Sequence, residues 1–178
     1  MLASHPSTVA TTAPDQAGDV RQYLRFALGD GIYAVPIDAV REILELGPST
    51  PLPLMPRFVR GVMNLRGAVV PVIDLAARLA LPSAVPGRRS CTIVVEVQPP
   101  EHADHGAQVI GLMVDAVHEV LDADAASLEE PPALGNQIDP RFMAGIARHR
   151  GEMVPVLMLS RTLALDELAD LIGQPQAA

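Results

Sequence analysis

The sequence is poor in cysteine, in aromatic residues and in basic charge. Cys91 is the only cysteine, which excludes an internal disulfide, and its place in an apolar run predicts a small buried side chain. The 178 residues carry 13 basic against 21 acidic side chains, a net charge of -8. This charge does not attract phosphate backbones or anionic lipid, so nucleic-acid and membrane-surface roles are disfavoured.

Targeting and membrane-spanning segments are also missing from the sequence. The first residues have neither the basic nor the apolar region of a secretion signal, and no apolar run has the length of a membrane span. We therefore expect a soluble, cytoplasmic protein. At this length, a single chain can bury a sizeable core without covalent cross-links.

Motifs of enzymes are absent as well. There is no Gly-rich phosphate loop after a strand, no Gly-x-Ser-x-Gly turn and no cysteine with a plausible histidine partner. The loop 101–105, Glu-His-Ala-Asp-His, is the one cluster of metal-ligand residue types, but an irregular loop does not hold its histidines in a fixed geometry. We predict no catalytic residue, no metal and no cofactor; a metal-binding protein that uses this loop is the alternative hypothesis.

Two segments of the chain recur in the same order. Residues 58–81 align without a gap on residues 142–165, and 11 of the 24 aligned positions are identical. A shorter echo precedes each copy, because Ile37-Asp-Ala-Val-Arg-Glu-Ile-Leu44 returns as Val114-Asp-Ala-Val-His-Glu-Val-Leu121. The pattern predicts two pseudo-equivalent halves.

The alternation of apolar residues and turn signals predicts mostly strands. We expect strands at 23–28 and 32–35, at 58–65 and 68–73, at 90–97 and 108–114, and near 141–149 and 152–159, with 115–121 a helix or a strand. Short strands at regular spacing, with Gly and Pro turns, indicate two small barrels.

A few short helices complete the predicted elements. Pro36 suits the first position of a helix, and the spacing of Ile37, Val40, Ile43 and Leu44 predicts that this helix runs to Leu44. Further helices are predicted at Leu75–Leu81, capped by Asp74, and at Leu163–Ile172. The Pro-rich stretch 47–56 should be an extended connection.

The composition also predicts how the chain is divided. Residues 1–20 are rich in Ala, Thr, Ser and Pro without a period, which indicates a disordered leader. Residues 21–172 should form a single domain of two β-barrel subdomains, and 173–178 a flexible tail.

The turn at Arg66-Gly67 is the most informative polar feature. We predict a hairpin tip that presents a guanidinium, which offers a planar fork of donors to a carboxylate or a helix end on a partner. The second copy has the same tip at Arg150-Gly151, so an ordinary solvated turn is the simpler alternative. Recognition suits this tip better than reaction.

Several motifs together resemble a known family. They are Phe26-x-Leu-Gly-Asp-x-x-Tyr-Ala-Val-x-Ile37, Val40-Arg-Glu-Ile43, the block Phe58-Val-Arg-Gly-Val-Met-Asn-Leu-Arg-Gly-Ala-Val-Val-Pro-Val-Ile-Asp-Leu75, and Gly111-Leu-Met-Val-Asp-x-Val-x-Glu-Val120. In this order and spacing they resemble the CheW-type chemotaxis coupling proteins over residues 21–172. Met63, Pro36 and the long 98–107 loop depart from the family pattern. These departures leave open which particular partner proteins, a receptor and a kinase in this family, the chain would bind.

The resemblance implies both a fold and a function. The fold would be mainly β, with two intertwined SH3-like five-stranded β-barrels and a few short helices. The function would be that of a non-catalytic adaptor, which couples the cytoplasmic tip of methyl-accepting chemoreceptors to a CheA-type histidine kinase within membrane-associated arrays. An adaptor of the same fold in a pathway for pili or surface motility is the alternative, and weak self-association is a further expectation.

The resemblance also implies a receptor-facing surface, whereas its motifs assign no kinase-binding surface. Arg66 is the strongest candidate, and Val40 with Ile43 would form an apolar floor with Glu42 at its rim. Val40, Ile43 and Leu65 are equally consistent with core filling, and the two glycines with a purely conformational role. The implied receptor-binding residues are Val40, Glu42, Ile43, Arg60, Gly61, Asn64, Leu65, Arg66 and Gly67.

Overall fold

The structure is a computed structural model that describes residues 19–98 and 106–163. Ten strands make up most of it: β1 (Val20–Leu28), β2 (Gly31–Pro36), β3 (Val40–Glu45), β4 (Val59–Leu65), β5 (Ala68–Asp74), β6 (Cys91–Val97), β7 (Gln108–Val114), β8 (Ala116–Asp124), β9 (Met143–His149) and β10 (Glu152–Leu157). Two short helices, α1 (Leu75–Arg78) and α2 (Leu159–Thr162), follow β5 and β10. Single 3₁₀ turns occupy Ile37–Ala39, Ala125–Ser127 and Pro140–Phe142.

The strands form two five-stranded sheets, each curved into an SH3-like barrel. The continuous barrel has the order β3-β6-β7-β5-β4 and comes from one uninterrupted stretch of chain. The split barrel has the order β8-β1-β2-β10-β9 and combines the first two strands with the last three. The chain therefore enters one barrel, completes the other and returns, and the two barrels are intertwined as expected.

The two halves are equivalent strand by strand. In each barrel an antiparallel hairpin, β1–β2 or β6–β7, pairs in parallel with the second strand of another hairpin, β9–β10 or β4–β5. The echo segments become β3 and β8, and the long repeats become β4-β5-α1 and β9-β10-α2. The repetition in the sequence thus corresponds to a repetition in topology, and the predicted fold class is confirmed.

One large apolar core lies between the barrels. It takes alternate residues from both sheets, including Phe26 and Val35 from the split barrel and Ile93 and Leu112 from the continuous barrel, all of them fully buried. The opposite faces of the strands fill the barrel interiors, such as the cluster around Tyr23 and Leu121 in the split barrel. Because every strand except β3 contains buried residues, the apolar alternation seen in the sequence predicts those strands.

The junction between the halves is built around Arg78. Its guanidinium lies 4.9 Å from the ring centroid of Phe58 and 5.1 Å from that of Phe142, the same residue in the two copies of the repeat. Its Nε donates to the carbonyl of Thr162, 2.5 Å away. The chain is also tied here by equivalent main-chain bonds, from Asp74 N to Phe58 O and from Met158 N to Phe142 O.

Most local predictions are confirmed. The β4–β5 hairpin turns at Arg66-Gly67, and β8 is a strand. Asp74 caps α1 by accepting the Ala77 N–H at 3.1 Å, although the helix is shorter than predicted. The Pro-rich connection is extended and attaches to the edge of β4 through mutual main-chain bonds between Thr50 and Val62.

The predicted helix from Ile37 to Leu44 is wrong. A single 3₁₀ turn follows Pro36, and the chain then continues as strand β3, paired with β6. An extra residue in β3 between Val40 and Glu42 forms a β-bulge, which shifts the alternation of side chains by one position. Apolar residues three positions apart thereby come to one face of a strand, and this spacing is what the helix prediction rested on.

Other predictions fall outside the described residues. They are the disordered leader apart from its last two residues, the 101–105 loop, the flexible tail and all but the first residue of the predicted helix Leu163–Ile172. β1 begins at Val20. None of the helices that the structure describes is long and apolar enough to cross a membrane.

Candidate protein-binding surface

The β4–β5 hairpin ends in a tight two-residue turn. Arg66 and Gly67 have φ angles of 51° and 86°, and such a pair of left-handed residues matches the twist of the flanking strands. The Asn64 Oδ1 atom accepts the Gly67 N–H at 2.9 Å and holds the turn closed. Asn64 and Gly67 therefore shape the tip, and Arg66 is the side chain that the tip presents.

Arg66 forms a bidentate ion pair with Glu42 of β3, the strand at the opposite end of the sheet order from β4. Its two terminal nitrogens lie 2.8 and 2.7 Å from the two carboxylate oxygens. The Arg66 side chain is 74% exposed and that of Glu42 is 24% exposed, so one side of the guanidinium remains open to solvent. The hydrogen bond from Arg66 lowers the pKa of Glu42, and the same contact raises the pKa of Arg66.

The β-bulge decides which way the β3 side chains point. Val40 pairs with Val95 and Ile43 with Ile93, two residues of the core between the barrels, whereas Glu42 pairs with Val94 on the opposite face. Val40 and Ile43 therefore share a face, as the predicted apolar floor requires. Val40 packs against the core, while Ile43 is 45% exposed and extends this face into solvent.

Arg60 and Gly61 lie at the other end of β4, six and five positions before Arg66. At roughly 3.3 Å per residue this end is about 20 Å from the tip, so the structure does not bring all nine predicted residues into one patch. Arg60 lines a small cavity with the 46–49 segment. Gly61 has a φ of 144°, and a Cβ atom there would lie 2.2 Å from the carbonyl oxygen of Thr50, so its role is to let the Pro-rich connection approach β4.

Leu65 lies beside the tip and lines an open cavity of about 430 Å³ at the end of the continuous barrel. Apolar side chains form part of its wall, and the Glu42–Arg66 ion pair with Arg41 forms a charged rim. The lining residues are Arg41, Glu42, Leu65, Arg66, Ala68, Val70 and Val109. Leu65 is thus half-buried, and its side chain borders an open cavity instead of filling the core.

The sequence contained a signal for the ion pair that the residue-by-residue reading missed. Glu42 recurs as Glu119 in the echo, and Arg66 recurs as Arg150 in the repeat. In the structure Arg150 lies 3.5 Å from Glu119, so the same acid and base meet in both halves. A joint recurrence in two separate segments is the pattern that predicts such a contact.

The described residues include no group of three or more His, Cys, Asp or Glu side chains arranged to hold a metal ion. Cys91 is buried, and burial raises the pKa of its thiol, which keeps it protonated and unreactive. His149 lies near Glu119 but within a network of ion pairs rather than beside a nucleophile. Within residues 19–98 and 106–163, the Glu–Arg contacts described above are ion pairs at the surface.

The chain is similar to known proteins over most of its length. A family model described as a CheW-like domain matches residues 22–167. The chemotaxis protein CheW of Rhizobium meliloti (strain 1021) is 35% identical over 147 residues, which cover 83% of this chain and 90% of that protein. Protein FrzA of Myxococcus xanthus is 31% identical over 153 residues, with coverage of 83% and 90%.

A solved structure extends the similarity to the fold. The crystal structure of the scaffolding protein TtCheW from Thermoanaerobacter tengcongensis matches with a TM-score of 0.70 and 34% sequence identity. The match covers 80% of this chain and 91% of that one. The chain therefore belongs to the CheW-like family and is a non-catalytic scaffold protein.

Proposed function

We propose that this protein is a cytoplasmic adaptor that couples the tip of methyl-accepting chemoreceptors to a CheA-type histidine kinase in membrane-associated arrays. Its family membership supports this role, since relatives along most of its length are chemotaxis proteins. The described surface also supports it, because it offers contacts for proteins and no constellation for chemistry.

The receptor contacts the tip of the β4–β5 hairpin and the exposed face of β3. The observation that carries this assignment is the bidentate Glu42–Arg66 ion pair, which fixes an exposed guanidinium at the rim of a cavity lined by the apolar side chains of Leu65 and Val70. A rigid, planar donor next to an apolar surface suits a helix that presents both a hydrophobic stripe and an acceptor. Asn64 and Gly67 support this contact by shaping the turn.

The test is reversal of the Arg66 charge, with the equivalent residue of the other half as a matched control. Arg66→Glu places a second carboxylate beside Glu42 and should weaken binding of a receptor cytoplasmic fragment by about 2–4 kcal/mol. Arg150→Glu makes the same change in the same kind of turn and should leave receptor binding nearly unchanged. Both variants are first checked for folding by circular dichroism and thermal unfolding.

The outcomes separate the site from the function. If Arg66→Glu binds the receptor fragment as the wild type does, the tip is not the receptor site. If a tagged wild-type protein recovers neither a chemoreceptor nor a CheA-like kinase from the lysate of its own organism, the adaptor function itself is wrong.

An adaptor of the same fold in a pathway for pili or surface motility is the second candidate. Its support is that protein FrzA, a relative with a different name, matches over as large a share of the chain as the CheW protein does. Identification of the co-purified kinase and of its neighbouring genes distinguishes the two pathways. Recovery of a flagellar chemotaxis kinase would leave the second candidate without support.

A further inference from the structure

Each barrel has an end next to its Arg-Gly hairpin tip, Arg66-Gly67 or Arg150-Gly151, and we call this end the mouth of the barrel. The two mouths are equivalent in position, but the residues that line them differ. Leu65 and Ala68 line the mouth of the continuous barrel, and a third position, Val94, lies opposite the rim residue Glu42. The repeat places His149 and Glu152 at the positions of Leu65 and Ala68 in the split barrel. Charged or polar groups in one half thus stand where apolar groups stand in the other.

The third position follows from the register of the strands. In the continuous barrel, Glu42 of β3 pairs with Val94 of β6. In the split barrel, the equivalent acid Glu119 lies in the bulge of β8, opposite Arg25 of β1. Arg25 therefore occupies the place of Val94, a fully buried residue, and its side chain enters the barrel interior instead of the solvent.

Arg25 spans the mouth of the split barrel. Its two terminal nitrogens each lie 3.2 Å from a carboxylate, one from Glu119 on β8 and the other from Glu152 on β10. The side chain is 12% exposed, and Arg150 completes the cluster on the outside. Two arginines face two glutamates, so the charges cancel and the mouth is closed.

This closure is not the most stable way to fill the space. The Nε of Arg25 and the Nε2 of His149 are buried without a hydrogen-bond partner among the described residues. Buried polar atoms without partners are destabilising, and the nearly buried guanidinium of Arg25 gives up hydration to pair with carboxylates that are themselves 54% and 65% exposed. The cluster of Arg25, Glu119 and Glu152 is therefore better explained by a role in deciding which mouth a partner can enter than by a contribution to stability.

The mouth of the continuous barrel is suited to an uncharged, apolar side chain. Arg66 is paired with Glu42, and Arg41 is paired with Glu96 at 3.0 Å, so the charges at this rim cancel as well. Leu65, Val70 and Val109 provide apolar walls. A large apolar residue projecting from a helix would bury itself here without leaving a charge unpaired.

We propose that Arg25 confines partner docking to one half of the molecule. It plugs the mouth of the split barrel, while the open mouth of the continuous barrel, next to Arg66, receives one large apolar side chain from the receptor helix. This inference rests on the proposed function for the identity of the partner. The asymmetry between the two mouths is tested separately.

The first experiment uses a small probe and no receptor. N-acetyl-leucinamide is titrated into the methyl-labelled full-length protein and followed by NMR. The methyl resonances of Leu65, Val70 and Val109 should shift, whereas that of Val154, the equivalent of Val70, should not. Equal shifts in both mouths, or no shift in the first mouth, would overturn the proposal.

Variants then close the open mouth and open the closed one. Ala68→Trp, at an exposed position on the rim, should abolish the shifts of Val70. Arg25→Val combined with Glu152→Ala copies two of the three differing positions of the first mouth into the second and should make Val154 respond to the probe. If the double variant does not fold, Ala68→Trp still decides whether the shifts report binding in the mouth.

The second experiment measures the affinity of a receptor cytoplasmic fragment by calorimetry. Ala68→Trp should weaken binding by about tenfold or more, the scale expected for loss of a buried anchor. Val69→Trp is the matched control, since its side chain is 69% exposed and points away from the mouth. Equal losses in both variants, or none in Ala68→Trp, would overturn the mouth as the docking site.

If the wild type binds no receptor, the proposed function fails, and the probe titration still decides whether the two mouths differ.

Discussion

Arg78 donates a hydrogen bond to the main-chain carbonyl of Thr162, the residue that occupies the place of Arg78 in the second copy of the repeat. The contact joins the ends of α1 and α2, so the two halves meet where their equivalent helices end. Phe58 and Phe142, also equivalent to each other, lie on the guanidinium. One arginine thus connects both copies.

Replacing Arg78 should weaken this junction. Arg78→Met keeps most of the aliphatic volume but removes the charged donor and its contacts with both rings, and we expect a loss of about 2–3 kcal/mol in the free energy of unfolding. Urea unfolding measures the effect. Arg161→Met, a change of the same type in α2, is the control, and a loss of equal size in both variants would contradict the assigned role.

Gly61 should tolerate no side chain. A Cβ atom would lie 2.2 Å from the Thr50 carbonyl oxygen, so Gly61→Ala should destabilise the fold by about 3 kcal/mol or more, through a clash that only backbone movement relieves. Gly67→Ala is the matched control. It has a positive φ but open space around it, and should be destabilised by about 1 kcal/mol. Thermal unfolding distinguishes the two, and equal losses would show that conformation alone explains Gly61.

The Glu42–Arg66 ion pair should be sensitive to acid. Because Arg66 lowers the pKa of Glu42 in the folded protein below its ordinary value near 4.5, the pair stabilises the fold above that value. The stabilisation is lost as the pH falls through the lowered pKa. An NMR titration of the Glu42 carboxyl group should give a midpoint below 4.5 that rises in Arg66→Gln. A native midpoint at or above 4.5 would contradict this contact.

Weak self-association is expected from the exposed apolar side chains. Ile43 and Val120 are exposed at equivalent positions on β3 and β8, and two similar halves can make head-to-tail contacts. The weight-average mass in sedimentation equilibrium should therefore rise with concentration and fall back when Ile43→Ser and Val120→Ser are combined. A strictly monomeric profile at high concentration, with and without kinase, would exclude this association.

Features that depend on neighbours in the chain could be predicted from the sequence. The Arg66-Gly67 turn, the Asp74 cap and the strands on either side of them follow from local turn chemistry and from burial on one face. The Ile37–Leu44 segment could not be assigned correctly. Its apolar spacing suits a helix, and only pairing with β6 selects a strand with a bulge.

The sequence by itself determined that the protein has two equivalent halves, because the copies share their turns and their buried positions. Tertiary structure alone decided how the halves differ. Arg25 meets Glu119 and Glu152 only after the first two strands join the last three, more than 90 residues away along the chain. Long-range contacts of this kind depend on strand order and register, and for that reason the open mouth and the closed mouth can be distinguished only in the folded molecule.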